Sequence, residues 1–353
     1  MNNVDKQYNE LIELILRKGR SKGDRTGTGT VSLFSHEIRF NMKQGFPLLT
    51  SKKMFTKGII HELIWFLRGD TNIQYLIKNN VNIWNGDAYK YYQGQRKEGE
   101  EILSKDDFIE RIKTDDTYAE HWGNLGPVYG HQWRNWGGWT EKTIGAKKDH
   151  NGFLPYLDIV HKGIDQVKEL IDNLRTDPDN RRLIVNAWNV GSMNEMVLPP
   201  CHYLFQCYTY EMEFEERAYE WCQSLGKDIS YAEDMNHARL DEINFPKRKI
   251  SLKWHQRSVD TFLGLPFNIA SYGILLHLIA KEVNMLVDEL IFSGGDVHLY
   301  RNHLEQAREL LDRETFKLPT IELSNKSLFD VEYDDIKILN YKSSPVLKAA
   351  LSN

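Results

Sequence analysis

Residues 267–285, FNIASYGILLHLIAKEVNM, read as a helix that is apolar on nearly all sides. A helix of that kind has no solvent face, so the rest of the chain must cover it. With 353 residues there is length enough to build such a core, as one large domain or two. Strand-like stretches are available to do the covering. They are DRTGTGTVSLFSHEIRF after its glycine-punctuated turn, RRLIVNAWNV, HYLFQCYTYEM, KISLKWHQRSVD and the start of GGDVHLYRNH. Helical periodicity marks residues 4–18, with Leu11, Ile12, Leu14, Ile15 and Leu16 on or near one face. It also marks 55–79 with a break near Gly69, 163–176 ending at Asp177-Pro178, and the segment that follows GGDVHLYRNH to about residue 313. The tail, 317–353, alternates short β-like pieces with turns. This mixture predicts an α+β (α/β) fold, a single large domain over 1–353 around one central sheet. Two polar stretches interrupt it. Residues 86–122, rich in Lys, Glu and Asp, read as an inserted surface subdomain without firm pattern, and 212–248 as a charged insertion between two strands at a hairpin tip.

Charge narrows the partners. The 45 basic and 50 acidic residues leave a net charge of −5, which gives no global case for nucleic acid or an anionic membrane. An anionic small ligand would need local arginines. The three cysteines, Cys201, Cys207 and Cys222, are too few for a disulfide framework and point to a reducing compartment. None has the spacing of a zinc site, so no metal is expected. The N-terminal stretch carries acids inside its apolar pattern, unlike a signal peptide, and nothing approaches the roughly 18 apolar residues of a membrane span. A cytoplasmic location is the expectation.

Several residue types could carry chemistry. In LPPCHYLFQ, Cys201 opens a strand after Pro199-Pro200, at an element edge that a substrate can reach. Packing is the ordinary explanation of such a cysteine. Arg181 and Arg182 stand together ahead of a strand, Arg25 lies in a Gly/Thr-rich turn, and Arg257 neighbours Ser258. Guanidinium forks with a hydroxyl suit a phosphate dianion, although each could equally be a solvated surface arginine. Asn268 falls near the start of the apolar helix, where an unpaired amide is costly. An amide both donates and accepts, so it could read a uracil edge, or merely cap the helix. His298 and Tyr300 alternate on a strand and share a face. Glu62 in IIHELIWFL places a carboxylate in an apolar helix, a setting for a shifted pKa or for a plain solvent-facing residue. His61 makes no HExxH, because residue 65 is Trp.

Taken together and in order, DRTGTGT, FPLLTSKK, HELIWFLRGDTN, NIW, LGPVYGHQWRNW, DPDNRRLIVNAWN, LPPCH, QRSVD, LGLPFNIASY and GGDVHLYRNH resemble the thymidylate synthase family almost from end to end. The resemblance implies a mixed sheet and a homodimer. It also implies a site for dUMP and 5,10-methylenetetrahydrofolate, in which Cys201 attacks carbon 6 of the pyrimidine. By the same resemblance Arg25, Arg257 and Ser258, with Gln256 beside them, hold the nucleotide, and Arg181 and Arg182 reach the phosphate from the other subunit. Asn268 would read the uracil edge, since relatives acting on dCMP carry Asp there, and His298 and Tyr300 would bind the sugar 3′-hydroxyl. Glu62, Tyr129, His202 and Asp260 match the proton-transfer network. Lys52, Trp84, Gly264 and Phe267, with Asp260 again, match the folate side.

Departures from the family pattern fall near the folate. Asp87 stands where a second Trp is usual, Trp254 and His255 replace Leu-Tyr, and the C-terminus ends KAALSN, with Asn353 last, instead of an apolar lid. Reductive methylation to dTMP, with dihydrofolate released, is the leading expectation from the complete core motifs. Hydroxymethylation of dUMP is the alternative, because a polar lid admits water to a reactive intermediate. A silent nucleotide- or RNA-binding homologue is the third, weakened by the intact Cys201, Arg257 and Asn268.

Overall fold

The computed structural model describes residues 1–24, 27–97, 100–137 and 163–351, together with the backbone of 142–149 and 152–159. In chain order the elements begin with helix α1 (Asn3–Lys18), strands β1 (Arg20–Lys22) and β2 (Thr30–Asn41), and helices α2 (Thr56–Leu67) and α3 (Gln74–Lys78). Helices α4 (Asn85–Gly94), α5 (Lys105–Thr114), α6 (Asp116–Trp122) and α7 (Tyr129–Arg134) follow, then strands β3 (Lys142–Asp149) and β4 (Gly152–Ile159) and helix α8 (Gln166–Thr176). Next come β5 (Ile184–Asn186), β6 (His202–Glu211), α9 (Phe214–Ser224), α10 (His237–Glu242), β7 (Arg248–Asp260) and α11 (Gly264–Glu282). The chain closes with β8 (Leu286–Tyr300), α12 (Leu304–Leu311), β9 (Thr320–Leu323) and β10 (Ile336–Leu339). These residues gather into two compact units, Met1–Leu63 with Ile171–Ile184 and Cys201–Asn353, and Ile64–Leu170 with Val185–Pro200.

The six-stranded sheet has the order β1-β2-β8-β7-β6-β5. Its pairs β1·β2, β2·β8 and β6·β7 are antiparallel, whereas β7·β8 is parallel, so the sheet is mixed. Parallel strands need a crossover, usually a helix, and the crossover between β7 and β8 is α11. That helix has buried residues on every side, from Leu265 and Ile269 through Ile274, Leu275 and Leu278 to Ala280, as its composition demanded. It lies against both strands it connects. Helix α1 shows the opposite case, a single buried stripe of Val4, Tyr8, Leu11, Ile12 and Ile15 with a charged outer face, and Asn2 caps it by accepting from the Asp5 amide at 2.8 Å.

Between β6 and β7 the chain leaves the ladder at the pair Glu211↔Arg248 and forms α9 and α10. Ala218, Cys222 and Ala232 make a small apolar cluster there, with Phe214, Trp221 and Met235 packed on it. The buried Arg217 guanidinium is matched by Asp241 at 2.8 Å, and the buried Lys249 ammonium by Glu216 and Glu220 at 2.5 and 2.7 Å. Charges this deep persist only when paired.

In the second unit the residues around 86–122, which show no periodicity in sequence, are helical. Their core is aromatic: Tyr92 lies 4.7 Å from Phe108 and 5.0 Å from Trp122, ring centre to ring centre. Ser104 and Asp115 cap α5 and α6. A few large rings on three short helices bury as much as a longer apolar stripe would, which hides them from a periodicity search. The break foreseen near Gly69 is a left-handed turn, φ +70°, that ends the run begun by α2.

One glycine positions the site described next. A Cβ at Gly295 would lie 2.7 Å from the Arg257 carbonyl oxygen, so only glycine lets β8 approach β7 there. Gly295→Ala is expected to cost about 1–3 kcal/mol in urea unfolding through overpacking. An unchanged unfolding midpoint would contradict that close approach.

Candidate active site

Strand register brings the first residues together. His202 on β6 pairs with Gln256 on β7, and an irregularity between His202 and Leu204 re-aims the strand start. The Arg257 amide donates to the Cys201 carbonyl at 2.8 Å, and the Arg257 guanidinium nitrogen Nη2 lies 3.7 Å from Cys201 Sγ. All three cysteines are free thiols. Cys207 is buried, and burial pushes it up to about 12; Cys222 is buried as well. Cys201 alone is partly open to solvent and faces a cation.

Behind the thiol lies a chain of buried polar groups. The His202 Nδ1 is 2.9 Å from the Tyr272 hydroxyl of α11. Burial pulls His202 down to about 3, so the ring is neutral at physiological pH. Burial, reinforced by the nearby Glu62 carboxylate, raises the Tyr272 hydroxyl above the usual tyrosine range. Glu62 itself is buried on α2. Beside them Gln256 Nε2 donates to Asn268 Oδ1 at 3.0 Å, so Asn268 sits within α11 as a bonded interior amide and not as its cap.

The parallel pair β7·β8 supplies a second group. Ser258 registers with Asp296, and Asp260 with His298. Asp296, His298 and Tyr300 alternate along β8, with the His298 and Tyr300 rings 5.1 Å apart and perpendicular. Asp296 Oδ1 lies 3.3 Å from His298 Nδ1. Burial would raise the Asp296 carboxyl, but Lys22 at 2.6 Å and Ser32 at 2.7 Å outweigh it and hold the carboxyl below its ordinary value.

Asp260 ends β7 and shapes the turn into α11, where Gly264 and Phe267 lie: its Oδ1 accepts from the Phe262 and Leu263 amides at 2.9 and 3.2 Å. Two buried cation-capable groups attend it. Lys52 donates to the Phe262 carbonyl and lies 4.0 Å above the Phe262 ring; burial pulls it down to about 7, against the attraction of Asp260. His303 places Nδ1 3.7 Å from Asp260 Oδ1 and Nε2 2.7 Å from the Ala350 carbonyl of the C-terminal segment.

The remaining expected residues belong to other segments of the chain. Arg181 and Arg182 are exposed on the loop before β5, where Arg181 lines an open groove of about 520 Å³ with Asp179, Gln206, Tyr208 and Arg248. Neither guanidinium bonds to a described residue of its own chain. In the second unit Trp84, Tyr129 and Trp65 cluster, with ring centres of Trp84 6.0 Å from Tyr129 and 5.8 Å from Trp65. Arg25 and Asn353 lie outside the described residues. Tyr272, Asp296 and His303 were not singled out from sequence. The lone tyrosine in an apolar helix and the period-2 face containing His298 are the signals that could have found the first two.

His303 gives a pH-dependent hold on the tail. Burial opposes its charge, but Asp260 and the Ala350 carbonyl outweigh burial and raise its pKa. Its contribution is therefore complete below the unfolded value of about 6.5 and fades as pH rises through the raised folded value. Amide-exchange protection around Ala350, corrected for intrinsic rates, should fall as pH rises above about 6.5. Constant protection would show that the imidazolium does not anchor the segment.

Among the described residues no group of His, Cys, Asp and Glu could hold a metal, and no helix is long and apolar enough to cross a membrane. The family model described as thymidylate synthase matches residues 6–353. A protein named thymidylate synthase from Buchnera aphidicola is 39% identical over 349 residues, covering 98% of this chain and 99% of that one. Another of the same name from Mycoplasma mobile is 40% identical over 348 residues, with coverage of 98% and 99%. With that similarity running the length of a mixed-sheet fold that sets an open cysteine against an arginine, the chain belongs to the thymidylate synthase family.

Proposed function

We propose that this protein is a thymidylate synthase, converting dUMP to dTMP with release of dihydrofolate, and that it works in the cytoplasm as a homodimer. The observation that carries the reading is the Arg257 guanidinium 3.7 Å from the only partly open thiol, Cys201. A cation at that distance favours the thiolate, which is the attacking form. The sulfur adds to carbon 6 of the uracil ring and leaves carbon 5 nucleophilic. Arg257, Ser258 and Arg25, joined by Arg181 and Arg182 of the partner subunit, neutralise the phosphate. Exposure of Arg181 and Arg182 without a bond to a described residue of their own chain fits that role. Exposed side chains on the sheet strands, Phe34, Ile184 and Tyr208, are surface that a second copy would cover.

Gln256 and Asn268 meet the base, and His298 and Tyr300 the sugar hydroxyl. Neutral His202, high-pKa Tyr272 and Glu62 are buried polar groups suited to moving a proton to and from the ring, with Asp260 as a further member.

Asp260 also fits a folate. Its Oδ1 is engaged by Phe262, Leu263 and His303, while Oδ2, on a side chain 18% exposed, remains able to accept from the amino edge of a pterin. Lys52, Gly264 and Phe267 would complete that side, and methylenetetrahydrofolate would supply the one-carbon unit and the hydride.

Mixing the protein with dUMP and methylenetetrahydrofolate should raise the absorbance of dihydrofolate. Product without that rise would identify a hydroxymethylase, and no product would overturn the reading. Cys201→Ala should abolish turnover and leave dUMP binding in place. Asn268→Asp should lower the dUMP-to-dCMP preference at least tenfold, about 1.4 kcal/mol; an unchanged preference would refute base reading by that amide.

A further inference from the structure

Trp254 has no part in the site described so far, yet it touches it. It is fully buried on β7, two residues before Gln256, so the two side chains share a strand face. Its indole Nε1 donates to Gln256 Oε1 at 3.2 Å, and Gln256 Nε2 donates in turn to Asn268 Oδ1 at 3.0 Å.

A side-chain amide can turn over and exchange its oxygen for its nitrogen with almost no change of shape. A relay of two amides alone would therefore have two polarities. An indole N–H is a donor and nothing else. Facing it, Gln256 must present its oxygen, which turns its NH2 toward Asn268, which must present Oδ1 in reply. Asn268 is left with a free Nδ2 donor and the second lone pair of Oδ1. That pattern complements uracil, with an acceptor at O4 and a donor at N3, and opposes cytosine, whose exocyclic N4 is a donor. Trp254 cannot swing away, because it stacks on Tyr272 at 5.0 Å and 10° and packs on Phe292 at 5.2 Å.

We propose that Trp254 is a specificity-setting positioning residue, whose indole N–H fixes the polarity of the Gln256–Asn268 relay and so biases the site toward a 4-oxo over a 4-amino pyrimidine nucleotide. This rests on the reading that Asn268 meets the base.

The test compares dissociation constants of dUMP and dCMP for the wild type, Trp254→Phe and Gln256→Glu, with circular dichroism to confirm folding. Phenylalanine keeps the stacking and lacks the N–H, so the dUMP-to-dCMP preference should fall fivefold or more. Glutamate accepts on both oxygens, so Asn268 must turn its NH2 inward and its oxygen toward the base, and the preference should fall further. If Trp254→Phe does not fold, Trp254→Leu, which also lacks the N–H, takes its place. A wild type that binds neither nucleotide overturns the site reading itself. A wild type that prefers dUMP, with variants that weaken both nucleotides equally or keep the ratio, overturns the role of Trp254 and leaves the site reading standing.

Discussion

The hydrogen bond from the Arg257 amide to the Cys201 carbonyl ties the thiol to the middle of the sheet. Backbone bonds of this kind fix position far better than contacts between long side chains, and here the bond forms where the start of β6 meets β7. Because β7 has β6 on one side and β8 on the other, one strand aligns three sets of groups: Cys201 and His202, its own Gln256 to Asp260, and Asp296 to Tyr300. Helix α11, the crossover that parallel pairing requires, then lays Asn268 and Tyr272 over them. Gly295 is the concession that makes this spacing possible, since any side chain there would press on Arg257.

Burial does the electrostatic work in two contrasting ways. Desolvation dominates at His202, so it is held neutral, and Tyr272 keeps its proton. Around Asp260 the balance is divided: burial wins at Lys52 and lowers it, while the carboxylate and the Ala350 carbonyl win at His303 and raise it. Two cation-capable side chains beside one carboxylate therefore titrate in opposite directions. The difference lies in the partners: His303 has the carboxylate 3.7 Å away and a carbonyl at hydrogen-bond distance, whereas Lys52 donates to a carbonyl and sits over a ring.

Much of this was legible in the residues. The all-round apolar pattern of 267–285 required a buried helix, KISLKWHQRSVD read as the strand that is β7, His298 and Tyr300 alternated on the end of β8, and Gly69 marked a turn. Cys201 could be placed at a strand start from Pro199-Pro200. What composition could not show was pairing across long separations, such as Cys201 with Arg257, Lys22 with Asp296, or His303 with Ala350, because register is set by the whole sheet. The helices within 86–122 escaped notice because their burial rests on scattered rings and not on a repeating stripe. The role of His303 is hidden in its own sequence neighbourhood, since its partners Asp260 and Ala350 come from two distant segments.

Period-2 geometry also explains why two adjacent departures from the family pattern differ in consequence. Trp254 and His255 are neighbours in sequence but point to opposite faces of β7. Trp254 faces α11, where an added N–H meets the amide of Gln256 and nothing can hydrate it. His255 faces the other side, half-buried near Tyr203; burial, aided by Lys253, lowers its pKa and Glu37 only partly opposes that. A change on that face alters a sheet surface, whereas a change on the Trp254 face reaches the hydrogen bonds of Gln256 and Asn268, the groups proposed to read the base. Strand parity alone separates the two.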